Sequence, residues 1–204
     1  MAVHGRPADG RGDQAGFLGT ARQILLTRGF LPAWSAFATQ GLFQSLTNAF
    51  LAIYLTRHLH LSDKIPGWLA EIGALGFAFG TLILQPRLKE RSVARWAAFA
   101  LGFQAIVLSA FFLHPGRLGV LAIGLVLGVS SSIYGAATSS TLTTALPERS
   151  RHHGFALSFV GVHLTGALFM PLAGQILQSS LAWFPLLAMG ILLAWSIGIW
   201  NCRP

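Results

Sequence analysis

The stretch LGVLAIGLVLGVSSSIYGAATSSTLTTALPERSRHHGFALSFVGVHLTGALFMPLAGQIL, residues 118–177, decides the fold. It reads as two apolar segments, Leu118–Leu146 and Gly154–Leu177. Between them lies the polar turn Pro147-Glu148-Arg149-Ser150-Arg151-His152-His153. An apolar run of about 20 residues crosses a hydrocarbon core of roughly 30 Å at 1.5 Å rise per residue. Both segments reach that length, and the turn is too polar to lie in lipid. Its arginines, Arg149 and Arg151, place it on the cytoplasmic side, where cationic loops are retained.

The rest of the chain repeats the pattern. Of 204 residues, 53% are hydrophobic and only 10% charged, against about 25% charged in an ordinary soluble domain. Further spans are expected at about Trp34–Leu55, Pro66–Gln85, Trp96–Leu113 and Leu181–Trp200. Pro66 stands at a helix start, where proline is tolerated. Residues 1–23 are polar and Gly-rich; they carry no cleavable signal and are expected to be a disordered cytoplasmic tail. Residues 24–33 read as an amphipathic lead-in, and 201–204 as a short cytoplasmic tail. The expected fold is all-α: a polytopic bundle of six transmembrane helices, spanning residues 34–200.

Six spans put both termini on one side. Of the fourteen Lys and Arg residues, eleven fall on the terminal side. Arg57, Lys64 and Arg117 fall on the other. That bias predicts cytoplasmic termini in a multi-pass protein of the bacterial inner membrane. The net charge of +8 does not indicate nucleic acid, because the cations sit in short loops between apolar spans rather than on one surface. Six acidic residues and the single cysteine, Cys202, leave no basis for a metal centre or a disulfide. No cofactor is expected.

Polar side chains inside lipid are costly and face protein or a watery cavity. Gln40, Gln44 and Asn48, at i, i+4 and i+8, put three amides on one stripe of the first span. The fourth span carries Ser130, Ser131, Ser132, Tyr134 and a run of Ser and Thr. The fifth carries Ser158, His163, Thr165 and Gln175. Spans three and six are nearly bare. Spans one, two, four and five are therefore expected to line a cavity, with three and six toward lipid. From the helix rise, Gln44 and His163 lie roughly 13–15 Å from the cytoplasmic end, with Glu71 and Asn48 on the order of 20 Å up. Gln40, Gln44, Asn48, Ser131, Tyr134 and His163 are the candidate solute contacts.

His163 and Glu71 are candidates to carry a coupling proton, since imidazole titrates near neutral pH and a carboxyl in low dielectric has a raised pKa. The alternatives are an interhelical hydrogen bond for His163, and an interfacial pair with Lys64 or Arg117 for Glu71. The Ser and Thr hydroxyls of the fourth span are expected mainly to bond carbonyls one turn back. Gly154, Ser158, Gly161 and Thr165 form a small-residue face suited to close packing.

Taken together, residues from about Ile24 to Trp200 resemble half of a major facilitator superfamily transporter. The basic stretch Arg87–Arg95 after Gly80 is similar to that family's loop between its second and third helices. Leu84 and Arg87 stand where the family motif's Asp and second Gly would fall. Pro147-Glu148-Arg149-Ser150-Arg151 before Gly154 resembles the loop entering the fifth helix, and Gly166, Pro171 and Gly174 its Gly-Pro element. The C-terminal half is the nearer resemblance, with Arg28-Gly29-Phe30 similar to the linker between halves. The resemblance implies alternating-access transport of a small solute, with a second six-helix half supplied by another copy or a separate chain; His163 and Glu71 add the expectation of proton coupling.

Two other readings stand beside it. One is a non-functional fragment of a split transporter gene. The other is an intramembrane serine protease, for which Gly128-Val129-Ser130-Ser131 and His163 form a partial motif.

Overall fold

The computed structural model describes residues 19–27, 29–87 and 93–201. The expected tail up to residue 18, part of the basic 86–95 stretch (88–92) and residues 202–204 lie outside the described residues. A short helix, α1, covers 19–26. Helix α2 is Phe30–Leu46, and two wide π-helical segments, Thr47–Leu51 and Tyr54–His58, carry it on. Helix α3 is Ile65–Phe79, extended by a π segment, Gly80–Leu84, and a 3-10 turn, Gln85–Arg87. Helix α4 is Val93–Ser109 with a closing 3-10 turn, Ala110–Leu113. Helices α5, α6 and α7 are Arg117–Ala145, Arg151–Ser179 and Trp183–Asn201.

Three boundaries differ from the sequence reading. Residues 19–23, expected to be disordered, are helical, because Ile24 of α1 is buried with Phe30, Ala33, Leu142 and Leu146. The same cluster starts α2 at Phe30 rather than at Trp34. Arg151, His152 and His153, expected in the turn, form the first turn of α6.

Among the described residues, four helices are long and apolar enough to cross a membrane: Ile65–Arg87, Arg95–Leu113, Arg117–Ala145 and Glu148–Ser179. Trp183–Ile197 is a shorter apolar stretch. The 30–58 helix is not among the four, because Gln40, Gln44 and Asn48 dilute its apolar character. The surface agrees with a lipid surround. Leu82 is 76% exposed and Leu168 is 68% exposed, and Val160, Leu164, Leu168, Leu172 and Ile176 form one exposed apolar row on α6. Water is a poor solvent for such a row, whereas acyl chains match it.

Packing follows one rule applied twice. Helix α3 packs along α5, and α6 packs along α2; α4 packs on α5, and α7 on α2; α2 meets α5, and α4 meets α7. Exchanging α2 with α5, α3 with α6 and α4 with α7 leaves this set of principal contacts unchanged. Ala36 beside Tyr134 and Gly29 beside Ala145 make α2 and α5 antiparallel. Corresponding helices of the two three-helix units thus meet the same partners, with the units' first helices antiparallel. The directions also sort the connections. Residues 19–27 and 29, 146–150 and 201 lie at one end of the bundle, with Arg22, Arg87, Arg95, Arg149 and Arg151 among the described residues. Residues 59–64, 114–116 and 180–182 lie at the other, with Arg57, Lys64 and Arg117.

The tightest crossing is α3 on α5. A Cβ on Gly128 would fall on the Gly73 carbonyl, one on Gly76 would fall on the Leu125 carbonyl, and one on Gly124 would meet the Leu69 side chain. The helices thus touch backbone to backbone, which only glycine permits. On the symmetry-related crossing, Gly41 meets Val162 and Gly161 meets the Trp34 ring. Tyr54 locks the far end, with its ring 5.7 Å from Phe111 of α4 and 5.3 Å from Phe184 of α7.

Hydroxyl groups are mostly satisfied within their own helix. Thr138, Thr141 and Thr144 of α5 donate to carbonyls one turn back, and Ser158 and Thr165 of α6 do the same. Both π segments of α2 contain a threonine bonded in this way: Thr47 to the Phe43 carbonyl and Thr56 to the Ala52 carbonyl. Such bonds compete with the backbone N–H for its acceptor and loosen the ladder.

Gly128→Leu is expected to destabilise the bundle by about 3 kcal/mol, the upper part of the range for overpacking. Gly190→Ala is expected to be neutral, because no atom lies within 4 Å of the added methyl. Thermal melting in detergent, followed by tryptophan fluorescence, measures both.

Candidate functional site

The glycine contact sets α3 against α5 while α2 leans away, and a cavity of about 440 Å³ opens between the three. Helix α3 contributes an apolar wall: Pro66, Ala70, Gly73, Ala74 and Phe77. Helix α5 supplies the floor with Gly124, Leu127, Gly128 and Ser131. Helix α2 carries the polar wall, Gln40, Gln44, Thr47 and Asn48. The first π segment begins at Thr47, so the wide turn keeps Thr47, Asn48 and Leu51 on the wall that Gln40 and Gln44 begin.

Gln44 and Asn48 are exposed and Gln40 is half-buried. None of the three side-chain amides has a hydrogen-bond partner among the described residues. The Ser131 hydroxyl accepts a bond of 3.0 Å from Gln104 Nε2 of α4. Gln104 is buried, so Ser131 is held from behind, and the Ser131 hydroxyl keeps one proton to donate. Each amide offers two donors and an acceptor. The site thus presents several unused hydrogen-bonding groups on one side and hydrocarbon on the other.

The other candidates read from the sequence fall elsewhere. Tyr134 is buried, and its hydroxyl donates to the Ala36 carbonyl of α2. It ties α5 to α2 instead of lining the cavity. Two residues past Ser132, it turns toward α2, and nothing in the residue pattern marks where that neighbour stands.

His163 is exposed on α6 and outside the cavity. It lies one turn beyond Phe159, whose ring meets Phe37 of α2 edge-on at 5.4 Å. It has no hydrogen-bond partner among the described residues. Glu71 is likewise exposed and does not line the cavity. No ion pair to Lys64 or Arg117 forms among the described residues; the Arg117 guanidinium lies 4.0 Å over the Trp68 ring instead.

So α2, α3 and α5 line this cavity and α6 does not. Helices α4 and α7, expected to face lipid, pack on each other behind it. Ser130, the candidate nucleophile of the protease reading, is buried and donates to the Ala100 carbonyl at 2.9 Å. The glycines Gly73, Gly124 and Gly128 are lining residues that the sequence reading missed. Their spacing signals close packing, which is also what makes the cavity floor flat. No group of His, Cys, Asp and Glu able to hold a metal ion occurs among the described residues.

No known protein family, no characterised protein and no solved structure matches the chain.

Single cysteines at Gln44 and Asn48, in a Cys202→Ser background, are expected to react with a membrane-impermeant maleimide. A cysteine at Gln104 is expected to stay unlabelled until the protein is denatured. Mass spectrometry of intact protein distinguishes the two outcomes.

Proposed function

We propose that this chain is a six-helix membrane domain that moves a small polar solute by alternating access, working as one half of a transporter. The observation that carries the reading is the row of unpartnered amides. Gln44 and Asn48 stand near mid-helix on α2, at a depth where lipid offers no hydrogen-bond partner. Amides there need a wet cavity, a solute or a second protein surface. A second six-helix body over the open side supplies the second surface and encloses a wet cavity for the solute. It is either another copy of this chain or a separate one.

The doubled packing rule supports the same reading. Three-plus-three inverted repeats recur in transporter folds, with substrate held near the midplane at the repeat interface. Ser131 of α5 and Gln44 of α2 occupy corresponding helices of the two units. In this proposal α2 and α7 cross the bilayer with the four longer apolar helices. The cation-rich end faces the cytoplasm, so both termini are cytoplasmic. Gln40, Gln44, Asn48 and Ser131 hydrogen-bond the solute. Rocking against the second half exposes the site to each side in turn. His163 and Glu71, exposed on flanking helices that the second half would cover, carry the coupling proton.

Uptake into proteoliposomes of labelled sugars, nucleosides and dipeptides tests the reading. One solute class is expected to accumulate. Asn48→Ala is expected to lower the initial rate about fivefold, the effect of losing one net hydrogen bond of about 1 kcal/mol. An imposed proton gradient is expected to drive uptake, and His163→Ala with Glu71→Gln to abolish that drive. Retention of full proton dependence in the double variant would remove both residues from coupling. Absence of transport for every solute, together with a monomer in detergent, would remove the transport reading. Reporter fusions after Gly116 and after Pro204 are expected to report opposite sides of the membrane.

A further inference from the structure

A second recess lies on the other side of the bundle, between α4 and α7. It measures about 350 Å³, and its walls include Phe99, Phe103 and Ile106 of α4 and Ile197 of α7. Small residues make the dent. Gly102 has no side chain, and a Cβ there would come to 3.3 Å from Ser196 Oγ. Ser196 donates its proton to the Ala98 carbonyl at 2.9 Å. Its hydroxyl is thus already engaged, and the rest of the wall is apolar. The rings of Phe99 and Phe103 lie nearly parallel, 6.0 Å apart and 9° from coplanar orientation. Phe99 is 57% exposed, and Ile106 and Ile197 are more so.

Arg95 stands one turn before the recess, toward the cation-rich end. Arg95, Phe99, Phe103 and Ile106 fall at i, i+4, i+8 and i+11, on one face of α4. Arg95 is exposed at the cation-rich end and forms no ion pair among the described residues. From Arg95 to Ile106 the helix rises roughly 16 Å. That is about half of a 30 Å hydrocarbon core, the depth of one leaflet. A cation at headgroup level above an apolar slot one leaflet deep matches one kind of molecule in both charge and length.

We propose that the α4–α7 recess is a binding site for an anionic phospholipid. One acyl chain lies along Phe99, Phe103 and Ile106, and the phosphate lies at Arg95. The site is independent of the transport reading, because none of its lining residues touches the amide cavity; it requires only that α4 sit in a bilayer.

The test is electron spin resonance on protein reconstituted in phosphatidylcholine vesicles. Trace phosphatidylglycerol or phosphatidylcholine, spin-labelled on the acyl chain, reports the motionally restricted lipid. Restricted phosphatidylglycerol is expected to exceed phosphatidylcholine by a preference of about fivefold at this one site, the ratio that one arginine gives at a lipid surface. Arg95→Gln is expected to bring the ratio to about one. Arg149→Gln, an exposed cation at the same end, is expected to leave it unchanged. Gly102→Val fills the recess and is expected to reduce the restricted fraction. Phe103→Ala removes an exposed wall with no packing conflict and is expected to do the same where Gly102→Val fails to fold. Equal restriction of the two lipids by the unaltered protein would overturn the proposal. So would a preference lost equally in Arg149→Gln, or disulfide-linked dimers formed by Phe103→Cys in a Cys202→Ser background, which would assign the recess to a second copy.

Discussion

Hydrocarbon supplies no hydrogen-bond partner, and nearly every feature of this bundle follows from that shortage. The backbone is helical through the described spans because helices close their own bonds. Threonines and serines of α5 and α6 return their protons to carbonyls of the same helix. Where a polar side chain reaches across, as from Gln104 to Ser131, from Tyr134 to Ala36 and from Ser196 to Ala98, it joins two helices at a fixed register. Against that background of satisfied groups, three side-chain amides on α2 without partners among the described residues stand out. They define the site more sharply than the shape of the cavity does.

The second constraint is closeness. In lipid, helices gain little by hiding apolar surface from solvent, so they adhere through contact area and backbone approach. Glycines at 73, 76, 124 and 128 let α3 and α5 touch along their main chains. The same glycines leave one wall of the cavity flat and without polar side chains. The amides of the cavity thus lie on the α2 side and its apolar wall on α3. The tightness of one helix pair and the polarity of the cavity are thus two results of the same residues.

Much of this was legible in the sequence, for a definite reason. Four of the expected spans are helices long and apolar enough to cross a membrane among the described residues, and their positions follow from apolar run length. The amide stripe was legible because i, i+4, i+8 spacing fixes a shared face whatever surrounds the helix. Ser131 was picked out with it. Tyr134 was misplaced because spacing along a helix says which residues share a face but not what that face meets. Here it meets α2, and the hydroxyl is used in holding the two together. His163 and Glu71 were judged by chemistry, and the fold puts them on exposed flanks outside the cavity. The short helix at 19–26 was missed because its order comes from Ile24 docking on Leu142 and Leu146, far away in the chain. The internal repeat was invisible because it is a repeat of packing partners, not of residue types.

That hidden duplication has a consequence for insertion. Each unit has an odd number of helices, so the second is threaded upside down relative to the first, and the bundle presents similar architecture to both compartments. Geometry alone then gives a nascent chain little reason to prefer one polarity. In the proposed six-span arrangement, that choice rests with the cations of the connecting loops.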